Sequence, residues 1–433
     1  MERHDVQPSP DGSFTPAERS SAMAKLWCFA ASPEFAHDWE IAQSIFWGGR
    51  LQDQDPDRVK ELMRLPQTEV MYNSWRLFDL EIEDGATLID LFLASRASGV
   101  SAGERAYLER AKTTFTGLYE VEEVRLEEKL RLTDLWSGAR LWVREGLATH
   151  NVVKWDLVAA RLMQVPDGSS VMEAGAFQYP PQCRDLLLKE MKRRYSAFQR
   201  RLPKADDVAL LKRLAPFLTH LWLDLVIFAP PPKIVTPEGD QFIFAAVVFD
   251  VTDEERLHRS LVACAEIEEI EPNVFSWWEA AGSRRRSLGT LKLQGNRLVL
   301  QTVSRERAER GRMLFESVAT TTVRYRATSY QDVRQAVREF ERRPPRQPEE
   351  TLPSGIAAQV TREFREQHYR AWPDQPLPAL GGRTPRQAVR LKSQRAKLIN
   401  LLKIMENREA RAAADGRSPY NFTWIRKELG LEL

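Results

Sequence analysis

The spacing of apolar residues changes along this chain, and that change limits the folds open to it. From about residue 15 to 116 the apolar residues recur at helical spacing, whereas from about 117 to 179 they alternate with polar residues, as in half-buried strands. One regular fold cannot satisfy both periods. At 433 residues the chain is long enough for several domains. We therefore predict a multidomain α+β protein.

Capping and turn signals divide the chain further. Thr15-Pro16-Ala17-Glu18 is a capping box with proline in the first turn, so a helix should begin there. The run Pro230-Pro231-Pro232 indicates a stiff linker, and a second proline-rich stretch follows residue 342. The predicted parts are a disordered tail (1–14), a helical region (15–116), a small antiparallel β meander or barrel (117–179), a helical block (180–232), an α+β domain (233–342), a proline-rich linker (343–353) and a C-terminal three-helix module (354–433).

The predicted meander contains five short alternating segments separated by turn sequences such as Pro166-Asp167-Gly168. A meander of this kind often curls into a barrel, because closure removes its unpaired edges. Small barrels bind nucleic acid or peptides in some proteins and act as inert spacers in others. The acidic residues between Glu120 and Glu128 are predicted to form a solvated barrel face.

The α+β domain shows a different pattern. The run FIFAAVVFDV (242–251) predicts a strand that is buried on both faces. A helix is predicted near 253–269, followed by a hairpin that turns at Gly295-Asn296. A helix capped by Ser304 and a returning strand complete the order β-α-β-β-α-β, which predicts an α+β sandwich. A further helix is expected from Ser329 to about 341.

The composition limits which cellular compartment and which kinds of partner are expected. Lys and Arg number 63 against 61 Asp and Glu, so any case for nucleic-acid binding must rest on local patches. The three cysteines are far apart and odd in number, which fits a reducing cytoplasm. No apolar run is long enough to span a bilayer, and the polar N-terminus does not resemble a signal peptide. We expect a cytoplasmic protein with no membrane contact.

The sequence contains no recognisable catalytic motif. The six histidines show no metal-ligand spacing, and no HExxH, GxSxG, P-loop or GxGxxG pattern is present. Asp79, Glu81, Glu83 and Asp84 offer a possible Mg²⁺ cluster, although the acidity of a turn explains them better. We therefore expect no cofactor and no metal, and favour a non-enzymatic protein. Dispersed catalytic residues would leave no such motif, so an enzyme stays open.

A proline-rich corner near the C-terminus, YRAWPDQPLPALGGRTPRQAVR (369–390), is the most informative local stretch. Gly381 and Gly382 allow a tight turn, and Thr384-Pro385 begins a helix with Gln387 completing a capping box. The predicted helix behind this cap carries Leu391 and further apolar residues at helical spacing.

This corner resembles the toxin-binding domain of Xre/MbcA/ParS antitoxins. The resemblance covers about residues 365–406, and in that family the domain binds a partner protein, often a cognate toxin. It implies that the C-terminal module binds another protein. The expected partner-binding residues are Trp372, Pro376, Leu380, Gly381, Gly382, Thr384, Pro385 and Leu391. A buried tryptophan in an aliphatic cluster is typical of a binding hot spot, but it is equally what closes the core of a small module.

The middle of the chain resembles a second group, the uncharacterised bacterial proteins that often carry a SEC-C metal-binding motif. The similar blocks are FTGLYEVEEV, LRLTDLWSGARLWVREG, LGTLKLQGNRLVLQTVSRERAERGRMLFE and YNFTWIRKELGL. The cysteine cluster of that motif is absent here, so no zinc site is expected.

Three basic stretches support an alternative function. Between Arg383 and Arg417 there are ten Lys or Arg and three Asp or Glu. Charge runs on helices are usually solvated faces, but cations interleaved with aromatic rings also suit binding to single strands. The expected nucleic-acid contacts in the other two stretches are Lys192, Arg193, Arg194, Tyr195, Phe198, Arg200 and Arg201, and Arg284, Arg285 and Arg286.

Two functions therefore follow from the sequence. The favoured one is a non-enzymatic bacterial protein whose antitoxin-like C-terminal module binds another protein, for which a toxin is one candidate. The alternative is a nucleic-acid-binding component of a mobile-element or defence system, which would use the small barrel and the basic stretches to hold RNA or DNA.

Overall fold

The structure is a computed structural model that describes residues 13–95, 99–165, 167–230, 234–236, 238–281, 284–332, 365–366 and 368–431. The chain forms two compact units, one of Met1–Ala229 with Leu352–Leu433 and one of Pro230–Thr351. The predicted α+β multidomain fold is confirmed. Residues 1–12 of the predicted tail (1–14), residues 333–341 of the helix predicted from Ser329, and the predicted proline-rich linker (343–353) lie outside the described residues. Ser329 itself lies in a strand that runs to Gln331, so the predicted start of that helix is wrong.

The N-terminal region is helical, as predicted, with a small hairpin inserted. Thr15 forms the predicted capping box with Glu18 at the start of the first helix. The hairpin turns through Asp84 and Gly85, both of which have positive φ. The elements are α1 (Pro16–Ala30), α2 (Ala36–Trp47), α3 (Pro56–Met63), α4 (Pro66–Phe78), β1 (Glu81–Glu83), β2 (Ala86–Thr87), α5 (Leu88–Ala94) and α6 (Ala102–Lys112).

Five strands then form the predicted barrel. They are β3 (Thr116–Arg125), β4 (Lys129–Asp134), β5 (Arg140–Arg144), β6 (Leu157–Gln164) and β7 (Ser170–Tyr179). The barrel closes in the order β3-β4-β5-β7-β6, with β6 pairing back onto β3. This is not the order of a simple meander, because β5 pairs with β7 in parallel and the other pairs are antiparallel. A connection of twelve residues between β5 and β6 makes that crossing possible.

Some of the barrel strands are buried on both their inner and their outer faces. Alternate residues such as Val121, Leu132 and Val143 fill its interior. On β3, β6 and β7, the outward residues Leu118, Ala159 and others are also buried, because they pack with the helices in one shared core. This double burial explains why β6 reads as a nearly continuous apolar run.

A buried ion pair joins this barrel to helix α4. The Arg161 guanidinium on β6 contacts the Asp79 carboxylate, and both side chains are fully buried. Arg161 also donates to the Ser74 hydroxyl at 2.8 Å and to the Thr114 carbonyl at 2.8 Å. Burial raises the pKa of Asp79, and the neighbouring cations Arg161 and Lys212 offset only part of that increase. Asp79 is therefore a structural residue rather than a member of a Mg²⁺ cluster.

Helices follow the barrel, as predicted, but the second predicted helix is broken. Its sequence LAPF places Pro216 in the first turn of a new helix, so the chain bends at Arg213-Leu214. The elements are α7 (Arg184–Arg201), α8 (Asp207–Lys212) and α9 (Ala215–Trp222), with a π-helical turn at Leu223–Ile227.

The second unit is a six-stranded antiparallel sheet in the order β13-β8-β12-β11-β10-β9. Its apolar core includes Phe249, Trp277, Leu300 and Phe315. The predicted α+β sandwich and its hairpin at Gly295-Asn296 are confirmed. The predicted order β-α-β-β-α-β is wrong, because the helix predicted at 253–269 ends at Val262 and an additional hairpin follows it. The strand predicted to be buried on both faces has one buried face, formed by Ala245, Val247 and Phe249. The elements are β8 (Phe244–Val251), α10 (Glu254–Val262), β9 (Ile267–Glu271), β10 (Val274–Ala281), β11 (Arg284–Gln294), β12 (Arg297–Thr302), α11 (Arg305–Val318) and β13 (Val323–Gln331).

The C-terminal module contains α12 (Pro385–Ala388), α13 (Lys392–Ala414) and α14 (Thr423–Glu428), preceded by two short 3₁₀ turns at Trp372–Asp374 and Pro378–Leu380. The helix predicted to continue from Thr384 is thus interrupted at Val389–Leu391. One core, built from residues such as Leu402, Phe422 and Ile425, holds these elements together. Within the described ranges, no helix combines the length and apolar character needed to cross a bilayer.

Candidate partner-binding site

The proline-rich corner of the C-terminal module is a tight loop closed by backbone hydrogen bonds. The Leu377 N–H donates to the Arg383 carbonyl at 3.0 Å, and the Gly382 N–H donates back to the Leu377 carbonyl at 3.0 Å. Gly381 and Gly382 have φ values of 65° and 77°, a region that favours glycine. The sequence therefore specifies this turn, and its shape is fixed before any partner arrives.

The helix that leaves the corner is capped as predicted. The Gln387 N–H donates to the Thr384 hydroxyl at 3.2 Å, and the Thr384 N–H donates to the Gln387 side-chain oxygen at 3.1 Å. Arg386 pairs with Asp374 at 2.8 Å and also contacts Glu428. These contacts fasten the corner to both ends of the module.

The eight expected partner-binding residues separate into two groups. Trp372 is 5% exposed and Leu380 1% exposed, and both belong to the module's own core with Pro385 buried beside them. The remaining residues lie on the surface or close to it. Those are Pro376, Gly381, Gly382 and Leu391, which are exposed, and Thr384, which is half-buried. The surface formed by Pro376–Leu391 is called the corner surface below.

A different part of the module, helix α13, contacts the barrel. Trp155, in the loop before β6, is 2% exposed and donates its indole N–H to the Glu406 carboxylate at 2.5 Å. The Lys403 ammonium lies 4.4 Å from the centre of the Trp155 ring, and Arg426 lies 5.8 Å from it. Glu406 also accepts from Arg426 at 2.5 Å. A tryptophan thus sits among three charged side chains of the module.

Trp155 is held in an unusual backbone conformation. Its φ is +71°, a left-handed value that is costly for a bulky side chain. Strain of this kind persists only where surrounding contacts hold it, and here those contacts come from another part of the chain. The backbone N–H of Trp155 donates to the Val121 carbonyl at 2.6 Å, and this hydrogen bond fixes the loop to β3.

Two buried carboxylates of the barrel complete the junction. Asp156 is fully buried and accepts from Asn407 at 2.8 Å, Arg411 at 2.7 Å and Gln178 at 2.6 Å. Glu120 is 3% exposed and accepts from the Lys403 ammonium at 2.5 Å, so its prediction as part of a solvated face is wrong. Burial lowers the pKa of Lys403, and the neighbouring Glu120 carboxylate offsets only part of that decrease.

The basic stretch of α7 is placed on the surface, but its rings face inward. Lys192, Arg193, Arg194, Arg200 and Arg201 are exposed. Tyr195 lies 4.8 Å from the Trp136 ring and donates to Asp207 at 2.5 Å, and Phe198 packs against the large core. Arg193 pairs with Glu190 at 2.6 Å and Arg194 lies 4.9 Å from the centre of the Phe217 ring, so this helix offers exposed charge but both of its rings are engaged.

Two of the three arginines in the basic stretch of β11 form ion pairs. Arg285 contacts Glu268 at 3.0 Å, and Arg286 contacts Glu238 at 2.7 Å and also Glu279. Arg284 is the first residue of the strand. The structure does not bring this stretch and the α7 stretch into one compact unit, because they belong to different ones.

Acidic side chains do not gather into a metal site in the part of the chain that the structure describes. Groups of three or more His, Cys, Asp or Glu that could hold a metal ion are absent there. Glu81, which the sequence offered with Asp79 as a possible Mg²⁺ ligand, contacts Arg213. The three cysteines, all within the described ranges, form no disulfide.

Comparisons with known proteins give no name to this arrangement. The chain matches none of the protein-family models, and no match is found among the curated proteins or among the solved structures. Function must therefore be inferred from the residues themselves.

Sequence inspection missed the junction residues Trp155 and Asp156. One signal was present: Asn400, Lys403, Asn407 and Arg411 recur at helical spacing and form a polar stripe on α13. A stripe of this kind usually faces water, so the pattern did not reveal that Asn407 and Arg411 bind the buried Asp156, which is 251 and 255 residues away from them in the chain.

Proposed function

We propose that this protein is a non-enzymatic, cytoplasmic, partner-binding protein of bacterial type, and that its C-terminal module binds another protein through the corner surface. The resemblance to antitoxin domains makes a toxin the expected class of partner. The observation that carries the proposal is the placement of that surface. It is exposed and rigid, while helix α13 of the module is committed to the barrel.

The rigidity of the corner favours binding. Its backbone is closed by internal hydrogen bonds, so little conformational entropy is lost when a partner docks. Its exposed side chains include Pro376, Ala379 and Leu391, which is 42% exposed, together with the cations Arg383 and Arg390. The small residues on either side of the turn allow a partner's backbone to approach closely there. Trp372 and Leu380 would support it from below instead of making contact.

The test is capture of partners by tagged full-length protein from its native cells, after nuclease treatment. Two variants place a charge or bulk on the corner surface: Ala379→Arg and Leu391→Asp. We expect one stoichiometric protein to be held by the unmodified chain and lost from both variants. Arg193→Asp on α7 is the matched control and should keep the partner.

Trp372→Ala separates the two possible roles of the tryptophan. Because Trp372 is buried in the module core, its truncation should destabilise the module by about 3 to 5 kcal/mol and so lose the partner through unfolding. Partner loss from a Trp372→Ala protein with unchanged unfolding would instead make Trp372 a direct contact. Retention of the partner by both corner variants would contradict the proposal.

A further inference from the structure

The outer face of β4 and β5 differs in composition from the rest of the barrel. Leu130 and Leu132 of β4 and Val143 of β5 point into the barrel, so the alternate residues point outward. Those outward residues are Lys129, Arg131, Thr133, Arg140, Trp142 and Arg144, and Arg125 at the end of β3 adjoins them. Arg140 and Arg144 are exposed, and Trp142 is half-buried.

Strand register places these side chains side by side. Arg131 lies opposite Trp142, and Lys129 lies opposite both Arg144 and Arg125 on its two neighbouring strands. The Arg125 guanidinium lies 4.6 Å and the Lys129 ammonium 5.0 Å from the centre of the Trp142 ring. One aromatic ring is thus surrounded by cations on a single sheet face, which we call the basic barrel face.

Three carboxylates hold the cations in position. Glu122 contacts Arg131 at 3.1 Å and Arg140 at 3.0 Å. Glu123 contacts Arg125 at 3.0 Å, and Asp167 contacts Arg144 at 3.2 Å. The Arg125–Glu123 and Arg144–Asp167 pairs are exposed on both sides, so their net stabilisation is small and a ligand phosphate can compete for these guanidinium groups. Glu122 is only 15% exposed and holds its two arginines more firmly. Five cations face three carboxylates, which leaves an excess of positive charge.

A groove continues from this face. It has a volume of about 630 Å³, and its lining includes the cations Arg131, Arg140 and Lys154, the carboxylates Glu122 and Glu123, and Ala410 and Ala413 of α13. Arg131 and Arg140 belong both to the groove and to the basic barrel face. An extended chain could therefore run from Trp142 past these two arginines into the groove, where its phosphates would compete with Glu122 for them.

We propose that the basic barrel face and this groove bind single-stranded nucleic acid. A base stacks on Trp142, while the phosphates contact Arg125, Lys129, Arg131 and Arg140. Single-strand binding requires a cationic track with at least one stacking ring, and this face supplies both. The barrel's architecture agrees: in five-stranded Greek-key barrels the face of the second and third strands carries oligonucleotides, and β4 and β5 are the second and third strands of this barrel.

The site is separate from the two basic stretches expected from the sequence, and it does not depend on the proposed partner. On α7 the rings of Tyr195 and Phe198 are turned into the protein, so that helix offers charge without stacking. On the basic barrel face charge and ring occur together. The corner surface shares no residue with it, so the two proposals can fail independently.

The test measures fluorescence anisotropy of a labelled twenty-nucleotide oligo(dT) with the full-length chain across a salt series. Trp142→Ala should weaken binding at least about fivefold, because stacking on that ring is lost. The pair Arg125→Gln with Arg140→Gln should reduce the salt slope by about 1.4, close to 0.7 for each lost phosphate contact. Glu123→Gln removes a competing carboxylate and should tighten binding.

Controls keep the proposal falsifiable. Arg193→Gln with Arg200→Gln on α7 should bind like the unmodified chain, and Leu391→Asp should do so as well. Loss of binding in the α7 pair alone would move the site to that helix and overturn the proposal. It would also be overturned if the unmodified chain failed to bind at 20 mM salt, or bound an abasic oligomer as tightly as oligo(dT).

Discussion

Helix α13 has two buried faces that are held by different chemistry. Toward its own module it presents Leu398 and Leu402, both fully buried against Phe422 and Ile425. Toward the barrel it presents Lys403, Asn407 and Arg411, which contact Glu120 and Asp156. One helix therefore closes an apolar core and a polar junction at the same time.

The difference shows how the two faces contribute. Apolar burial stabilises in proportion to area and tolerates several arrangements. A buried polar junction contributes less net stability, because each group must lose its water, but it accepts only the arrangement that satisfies every donor and acceptor. We infer that the apolar face makes the module fold, and that the polar face determines where the module sits on the barrel.

The largest expected effect comes from breaking the apolar face. Leu402→Ala removes a fully buried side chain and should reduce the free energy of unfolding by about 2 to 5 kcal/mol. Urea denaturation followed by circular dichroism measures this change. Leu391→Ala is the matched control, because Leu391 is 42% exposed and should cost far less. Equal losses in the two variants would contradict the assignment of faces.

The next effect comes from the centre of the polar face. Asp156→Ala leaves the Asn407 and Arg411 donors without their buried acceptor and should cost about 2 to 3 kcal/mol. Asp156→Asn keeps an acceptor oxygen and should recover part of that loss. Urea denaturation again gives the numbers. An alanine variant as stable as the unmodified chain would show that the junction is not formed.

A smaller effect is expected at Glu406, which joins the Trp155 indole N–H to Arg426. Glu406→Gln keeps the shape of the side chain and removes its charge, so the loss should be about 1 kcal/mol. Thermal unfolding at low and high salt measures it. We expect the gap between the two proteins to narrow with salt, and a gap that widens would argue against an electrostatic role.

The smallest effect is the dependence of the junction on pH. Burial lowers the pKa of Lys403 below its ordinary value of 10.5. At a pH between the lowered pKa in the folded chain and the ordinary pKa in the unfolded chain, the unfolded chain binds more protons than the folded chain. The free energy of unfolding therefore rises as the pH increases through this range and falls as the pH decreases. Lys403→Met should flatten this alkaline slope. Urea midpoints measured from pH 8 upward test it, and an unchanged slope in the variant would assign it to other groups.

Local signals in the sequence predicted the elements that depend on local chemistry. The capping boxes at Thr15 and Thr384 and the hairpin at Gly295-Asn296 form as expected, because each requires only neighbouring residues. The five barrel strands were also found from their alternation. Their order was not, because the pairing of β5 with β7 depends on a connection whose path has no local signal.

The candidate sites show the same limit. The corner was visible because proline, glycine and a cap follow one another along the chain. Trp155 and Asp156 were missed because their partners on α13 are distant in sequence. Trp142 was missed because its cations come from neighbouring strands, so they surround the ring only once the strand register is known.

The claim that α13 serves two structures at once is tested most directly by hydrogen–deuterium exchange of full-length Asp156→Ala against the unmodified chain. We predict that residues 400–411 of α13 and residues 152–158 of the barrel gain exchange together. The second unit, which contains β10 to β12, should exchange as before. If exchange in α13 stays unchanged while the barrel loop alone loosens, the polar junction does not hold the module and the account is wrong.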